Sequence, residues 1–259
     1  MTNPRNLQIA NIFGLILVLV MNTLAITLPI GGRTTGEISD LYPNLFVPAG
    51  YAFSIWSLIY ILLITFVVLQ AKGLFSSASA PGYVSQIGGW FFISCLANAS
   101  WILAWHYLLV PVSLLLMLGI LVSLIMIYLR LNINYFRSEV PLFVRLPFSV
   151  YLGWITVATV ANFTALLVSI NWSGWGLSEV TWTIAMISVA TLLGLWMLWQ
   201  RLDLAYMGVL IWAFYAIAIK RLQAGIPAES AIPSAIYLAI GMLLVVALAR
   251  FLVKNKHYV

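Results

Sequence analysis

From residue 73 to residue 129 the chain runs 57 residues without an Asp, Glu, Lys or Arg. A soluble fold has no use for such a stretch, because its solvated faces must recur every few residues. A helix needs ~20 apolar residues to cross a bilayer, so this run alone is long enough for two crossings. Further uncharged runs occupy residues 6–32, 41–71, 146–178, 180–200, 204–219 and 230–249, and the charges fall in the gaps. With 7% charged and 64% hydrophobic residues, the chain is all-α: a polytopic transmembrane helical bundle. The runs predict about eight spans, near residues 7–30, 50–71, 86–106, 112–130, 147–170, 179–199, 203–221 and 232–253.

The bases set the orientation. With the N-terminus and C-terminus cytoplasmic, Arg5, Lys72, Arg130, Arg137, Arg145, Arg201, Arg250, Lys254 and Lys256 lie inside, and Arg33, Lys220 and Arg221 lie outside. Nine of the twelve bases then face the cytoplasm, as the positive-inside rule requires of an inner-membrane, multi-pass protein. Four of the six acids, Glu37, Asp40, Glu179 and Glu229, fall on the other side. The weakest span is the seventh, which has 16 uncharged residues and two bases at its outer end. Dropping it lowers the split to eight against four, so the eight-span reading is preferred. The net charge of +6 is scattered singly along one membrane face and forms no basic patch, which excludes a nucleic-acid partner. Composition makes the lipid bilayer a partner; a small hydrophobic ligand and a homodimer are further expectations.

No soluble domain interrupts the spans. The longest polar connection, residues 31–49, begins Gly-Gly-Arg-Thr-Thr-Gly-Glu and turns aromatic and proline-containing through Tyr42, Pro43, Phe46 and Pro48. That composition suits a loop packed over the mouth of a bundle. Small residues at helical spacing, Gly153, Ala161 and Ala165 in the fifth span and Ala235 and Ala239 in the eighth, mark places where helices can approach closely in lipid.

The chain carries eleven tryptophans. Trp90, Trp172, Trp175, Trp182 and Trp199 fall near span ends, where an amphipathic ring sits at headgroup level. Trp56, Trp101 and Trp154 lie deeper, and an indole N–H in hydrocarbon wants an acceptor. Asn98, Trp101 and Trp105 share one helical face by i, i+3, i+7 spacing. Trp154, Ala158 and Asn162 follow at successive i+4 positions. A carboxamide is costly in lipid unless paired, so Asn98 and Asn162 should point inward. Two readings fit: asparagines joining helices, or an indole-walled pocket tipped with amides.

Three stretches carry a resemblance. Residues 47–60 read Val-Pro-Ala-Gly-Tyr-Ala-Phe-Ser-Ile-Trp-Ser-Leu-Ile-Tyr, residues 96–101 read Leu-Ala-Asn-Ala-Ser-Trp, and residues 147–163 run from Pro147 through Tyr151, Trp154, Ala158 and Asn162 to Phe163. In this order, on the second, third and fifth spans, they resemble the motifs of the tryptophan-rich sensory proteins (TspO/MBR, translocator protein family). The resemblance implies a five-helix membrane domain over residues 1–172, with residues 173–259 as an extension of three transmembrane helices. It further implies a porphyrin or haem-like ligand in an aromatic pocket lidded by the first loop. Trp56, Tyr60, Asn98, Trp101, Trp154, Ala158 and Asn162 would line or support that pocket. Pro48, Tyr51 and Phe53 of the same signature, and Trp105 of the third-span face, complete the candidate ligand-binding set. The family's sterol motif is not carried over, since residues 164–170 hold no Tyr, Lys or Arg.

Catalysis finds little to work with. There is one cysteine, Cys95, and the histidines His106 and His257 lie far apart without a carboxylate or metal-ligand pattern. His106 reads as an interfacial residue, and Asp203 beside Arg201 as an interfacial ion pair. The expected function is binding of a planar, tetrapyrrole-like ligand in a sensory or regulatory role, without a metal and without enzyme activity, tetrapyrrole degradation being the one enzyme reading that the resemblance leaves open. The alternative is a transporter of a small amphiphilic molecule.

Overall fold

The computed structural model describes residues 3–28, 30–74, 79–135 and 138–255; Arg137, Lys256, His257 and the side chain of Lys254 lie outside the described residues. Ten α-helices occur among the described residues: α1 (Pro4–Thr27), α2 (Thr35–Asp40), α3 (Ile55–Gln70), α4 (Gly82–Ile87), α5 (Trp90–His106), α6 (Val110–Arg130), α7 (Leu142–Ser169), α8 (Glu179–Arg201), α9 (Leu204–Ala224) and α10 (Ala231–Asn255). Short 3-10 turns link some of them, and one, Gly50–Ser54, runs directly into α3. No strand occurs among the described residues. Among the described residues, seven segments are long and apolar enough to cross a membrane. The eighth long helix, α5, has 17 residues, the lower limit for a crossing. A break at Gly88–Gly89 separates it from α4, so the predicted third span of 86–106 is shorter and begins later.

Local chemistry sets the helix ends. Pro4 occupies the first turn of α1, where its missing N–H costs nothing, and the Asn3 side chain accepts from Arg5 N. Helix α2 opens with a reciprocal capping box between Thr34 and Glu37. Backbone and hydroxyl hydrogen bonds from Thr34 hold the Glu37 carboxyl below its ordinary pKa. Ser178 caps α8, and Asp203 caps α9 by accepting from Tyr206 N at 3.0 Å.

The charge-separated ends of the bundle follow from which loops meet. At the end holding the N-terminus, the Gln8 amide donates to Gln70 O and Lys72 O, Arg130 lies over the Trp90 ring, Arg201 donates to Asn132, and Arg250 donates to Trp199 O. Trp90 and Trp199 therefore sit against bases at one level. The opposite end holds the ion pairs Lys220–Asp40 and Arg221–Glu229, both N–O about 3.0–3.1 Å.

The seventh span, the weakest by sequence, is buried as fully as any other crossing segment. Ala213, Phe214, Ala216, Ile217 and Ala218 of α9 are fully covered. Its mean hydropathy of 1.4 is the lowest of the seven crossing segments. Helix α7 packs against it at Gly153, where an added Cβ would lie 3.0 Å from Val209 Cβ. Helix α8 does the same at Gly194, facing Leu210 and Leu243. Of the alanines expected to mark close approach, Ala165 and Ala239 are buried. Ala161 instead faces a cavity.

Candidate functional site

Helices α3, α5 and α7 turn their aromatic faces toward one another beneath the first loop. Between them lies a cavity of about 50 Å3, lined by Pro48, Phe53, Trp56, Trp101, Trp105, Trp154, Ala158 and Asn162, together with Thr35, Ser39, Met117, Val157 and Ala161. Eight of the eleven residues singled out by sequence thus meet at one place. Helical spacing explains it: Trp101 and Trp105 are one turn apart on α5 and stack at 5.7 Å and 15°. On α7, Trp154, Ala158 and Asn162 form a strip whose small middle residue leaves the gap. The Trp154 ring meets Phe53 edge-on at 6.0 Å and Trp56 at 6.3 Å.

The remaining three residues lie apart from the cavity. Tyr60 stacks on Trp56 at 5.5 Å, one layer behind the wall. Tyr51 is 42% exposed and packs against Trp212 of α9. Asn98 is buried but turned toward α1 and α7: its amide donates to Tyr151 Oη at 2.9 Å, and its carbonyl accepts from Asn22 at 3.0 Å. The two central asparagines therefore divide the alternatives between them. Asn98 joins three helices, whereas Asn162, accepting from Ser113 at 3.2 Å, also faces the cavity.

The indole N–H groups of Trp101 and Trp154 are buried without an acceptor. Both residues are more than nine-tenths covered and both line the cavity. An orphaned buried donor costs about 1–3 kcal/mol, so two of them on one wall is a costly arrangement. Tyr60 Oη, behind the same wall, is also unpartnered.

The first loop closes this cavity from above. His106, expected at the interface, is buried at the end of α5 and pins the loop. Its Nδ1 lies 2.8 Å from Ile30 O, and its Nε2 lies 3.1 Å from Thr35 Oγ1. A carbonyl can only accept, so Nδ1 carries a proton; in the neutral ring Nε2 then accepts from the threonine hydroxyl. Trp105 Nε1 donates to Thr35 O, and Tyr42 packs on the Trp105 ring at 5.8 Å. Gly31 comes so close to α5 that a Cβ there would lie 2.9 Å from His106 O. The far end of the loop is tied to α9, where Ala49 N donates to Ala216 O and Trp212 Nε1 donates to Ala52 O.

Asp203 is buried, and it is bound otherwise than the sequence suggests. It makes no ion pair with Arg201; it accepts from Tyr128 Oη at 2.9 Å and Ser149 Oγ at 2.7 Å while capping α9. Among the described residues no cluster of His, Cys, Asp or Glu could hold a metal.

A bundle of apolar helices, closed over an indole-lined cavity by its first loop, defines an integral, multi-pass membrane protein. A family profile described as TSPO-like protein matches residues 8–250, and the chain belongs to that family. The matched region runs on through α8, α9 and α10. No curated protein and no solved structure matches the chain.

Proposed function

We propose that this protein binds a planar, hydrophobic, tetrapyrrole-like ligand in the aromatic cavity and acts in a sensory or regulatory capacity. The observation that carries this reading is the pair of buried, acceptor-less N–H groups of Trp101 and Trp154 on one cavity wall. A ligand carbonyl or carboxylate held between indole walls satisfies both donors, while the rings stack on its flat body. At about 50 Å3 the closed cavity holds one or two waters, and binding sites for ligands of this size run to ~300–1,000 Å3. Loading therefore requires the first loop to lift, releasing the His106 and Trp105 bonds that hold it. The protein on this reading lies in the inner cell membrane, and the nine-to-three partition of its bases supports a cytoplasmic position for both termini. On this reading residues 1–172 form the ligand-binding domain and residues 173–259 an extension that braces its lid.

Quenching of intrinsic tryptophan emission by protoporphyrin IX tests the proposal. Saturable quenching is expected, with an apparent Kd raised about tenfold in Trp154→Leu and in Asn162→Leu, the equivalent of about 1.4 kcal/mol. Identical titrations for all three proteins would remove the cavity as the site. Gradient-coupled flux of the ligand in proteoliposomes would assign transport of a small amphiphile instead.

A further inference from the structure

A second hollow, far larger than the first, opens between α7 and α8. Helix α7 packs mainly on α3, α6 and α9, and α8 mainly on α9 and α10, with little direct contact between the two. The groove between them has a volume of about 670 Å3. Phe163, Leu167 and Val168 of α7 form one wall, Thr183 and Met186 of α8 the other, and Pro43 and Phe46 of the first loop the floor.

The mouth of the groove is aromatic and carries a single charge. Trp172, Trp175 and Trp182 line it and meet one another edge-to-face, with centroids 5.1–5.9 Å apart. Sequence position alone assigns these three to the headgroup belt. Their setting is more specific than that. Residues 174–176 all adopt left-handed φ values of +70°, +51° and +79°, which is uncommon for a residue with a side chain such as Trp175. Trp182 Nε1 fixes the turn by donating to Gly174 O at 2.8 Å, and Trp175 is left 79% exposed.

Of the residues lining the groove, Glu179 is the one that carries a charge, and no Lys, Arg or His joins it. The other acids described at this end are engaged: Asp40 with Lys220, Glu229 with Arg221, and Glu37 in its capping box. Glu179 has no ion-pair partner among the described residues. The C-terminus of α7 and the N-terminus of α8 meet at the mouth with opposite partial charges that offset one another, so the carboxylate sets the sign. Indole faces and a carboxylate together attract a desolvated cation. An anionic tetrapyrrole finds no base there.

We propose that the α7–α8 groove is a binding site for a cationic amphiphile: a quaternary or tertiary ammonium head held by Trp172, Trp175, Trp182 and Glu179, with its apolar body lying between Leu167 and Met186. It is separate from the cavity under the first loop and does not depend on it.

The test is equilibrium binding of a radiolabelled phenylalkyl-trimethylammonium salt to the full chain in maltoside micelles. One saturable site per chain is expected. Affinity should fall about tenfold in Glu179→Gln and several-fold in Trp175→Leu; both side chains are exposed, and thermal melting confirms that the variants fold. The neutral isostere, with carbon in place of nitrogen, should fail to compete. Unchanged affinity in Glu179→Gln, or equal competition by the isostere, would overturn the proposal. Competition by short-chain phosphatidylcholine but not by phosphatidylglycerol would identify a lipid headgroup as the natural bearer of the cation; competition by neither would point to a free amphiphile.

Discussion

Helices α1–α7 and α8–α10 are held together by different means. In the first group, polar side chains cross between helices at several depths. Gln8, Asn11 and Gln70 bond α1 to α3; Asn22, Asn98 and Tyr151 bond α1, α5 and α7; Ser113 and Asn162 bond α6 to α7. In the second, Arg250 ties α10 to α8 at one end and Arg221 pairs with Glu229 at the other; between those ends the hydroxyls of Ser188 and Thr191 return to their own helix backbone, and contact is made by shape. Gly194 lets α8 approach Leu210 and Leu243, and alanines fill the α9 core. The contrast matches what each group contains. Directional bonds fix helix register around the cavity, whereas dispersion contacts close space as far as the side chains allow.

Asp203 joins the two groups, and Asp203→Ala should give the largest effect. It removes the α9 cap and leaves Tyr128 Oη and Ser149 Oγ without their acceptor. A loss of about 3 kcal/mol is expected, read as a fall in the midpoint of denaturant unfolding in micelles. If stability is unchanged, the polar seam is not what joins the groups. Within the second group, Gly194→Leu drives a side chain into Leu210 and Leu243 and should cost about 2 kcal/mol. Protoporphyrin quenching should survive that change, because the cavity lies on the polar-bonded side. The smallest effect is a pH response confined to the first loop. The folded Glu37 carboxyl titrates below its ordinary value, so its contribution is complete above pH ~4.5 and fades as pH falls through the folded value. Hydrogen exchange of the α2 amides should rise over that acid range and stay flat above it.

The architecture was legible in the sequence because a bilayer forces it. Charge-free runs of span length and their order predict every long helix, and i+4 spacing alone brings Trp154, Ala158 and Asn162 to one face. What was hidden depends on partners distant in sequence. Asn98 looks like Asn162 in composition and depth, yet Tyr151 and Asn22 draw it away from the cavity. A signal for Asn22 did exist: Asn11, Leu15, Val18, Asn22 and Ala25 follow the 3.5-residue spacing of a helix seam. The burial of His106 follows from the first loop folding back over α5, which no local pattern reports. The α7–α8 groove was missed because tryptophans near span ends have an ordinary explanation, and only their shared turn and the unpaired Glu179 set these three apart.

The backbone bond from Ala49 to the carbonyl of Ala216 has a consequence for anyone who shortens this protein. A five-helix fragment ending near residue 172 would lose the acceptor for that amide, the indole that reaches Ala52, and the lysine facing Asp40. Its lid would be tethered at one edge and loose at the other. On the proposed reading, α9 thus serves as the doorframe for an opening built by α1–α7, and expression of the shorter piece would yield a permanently unlatched vessel.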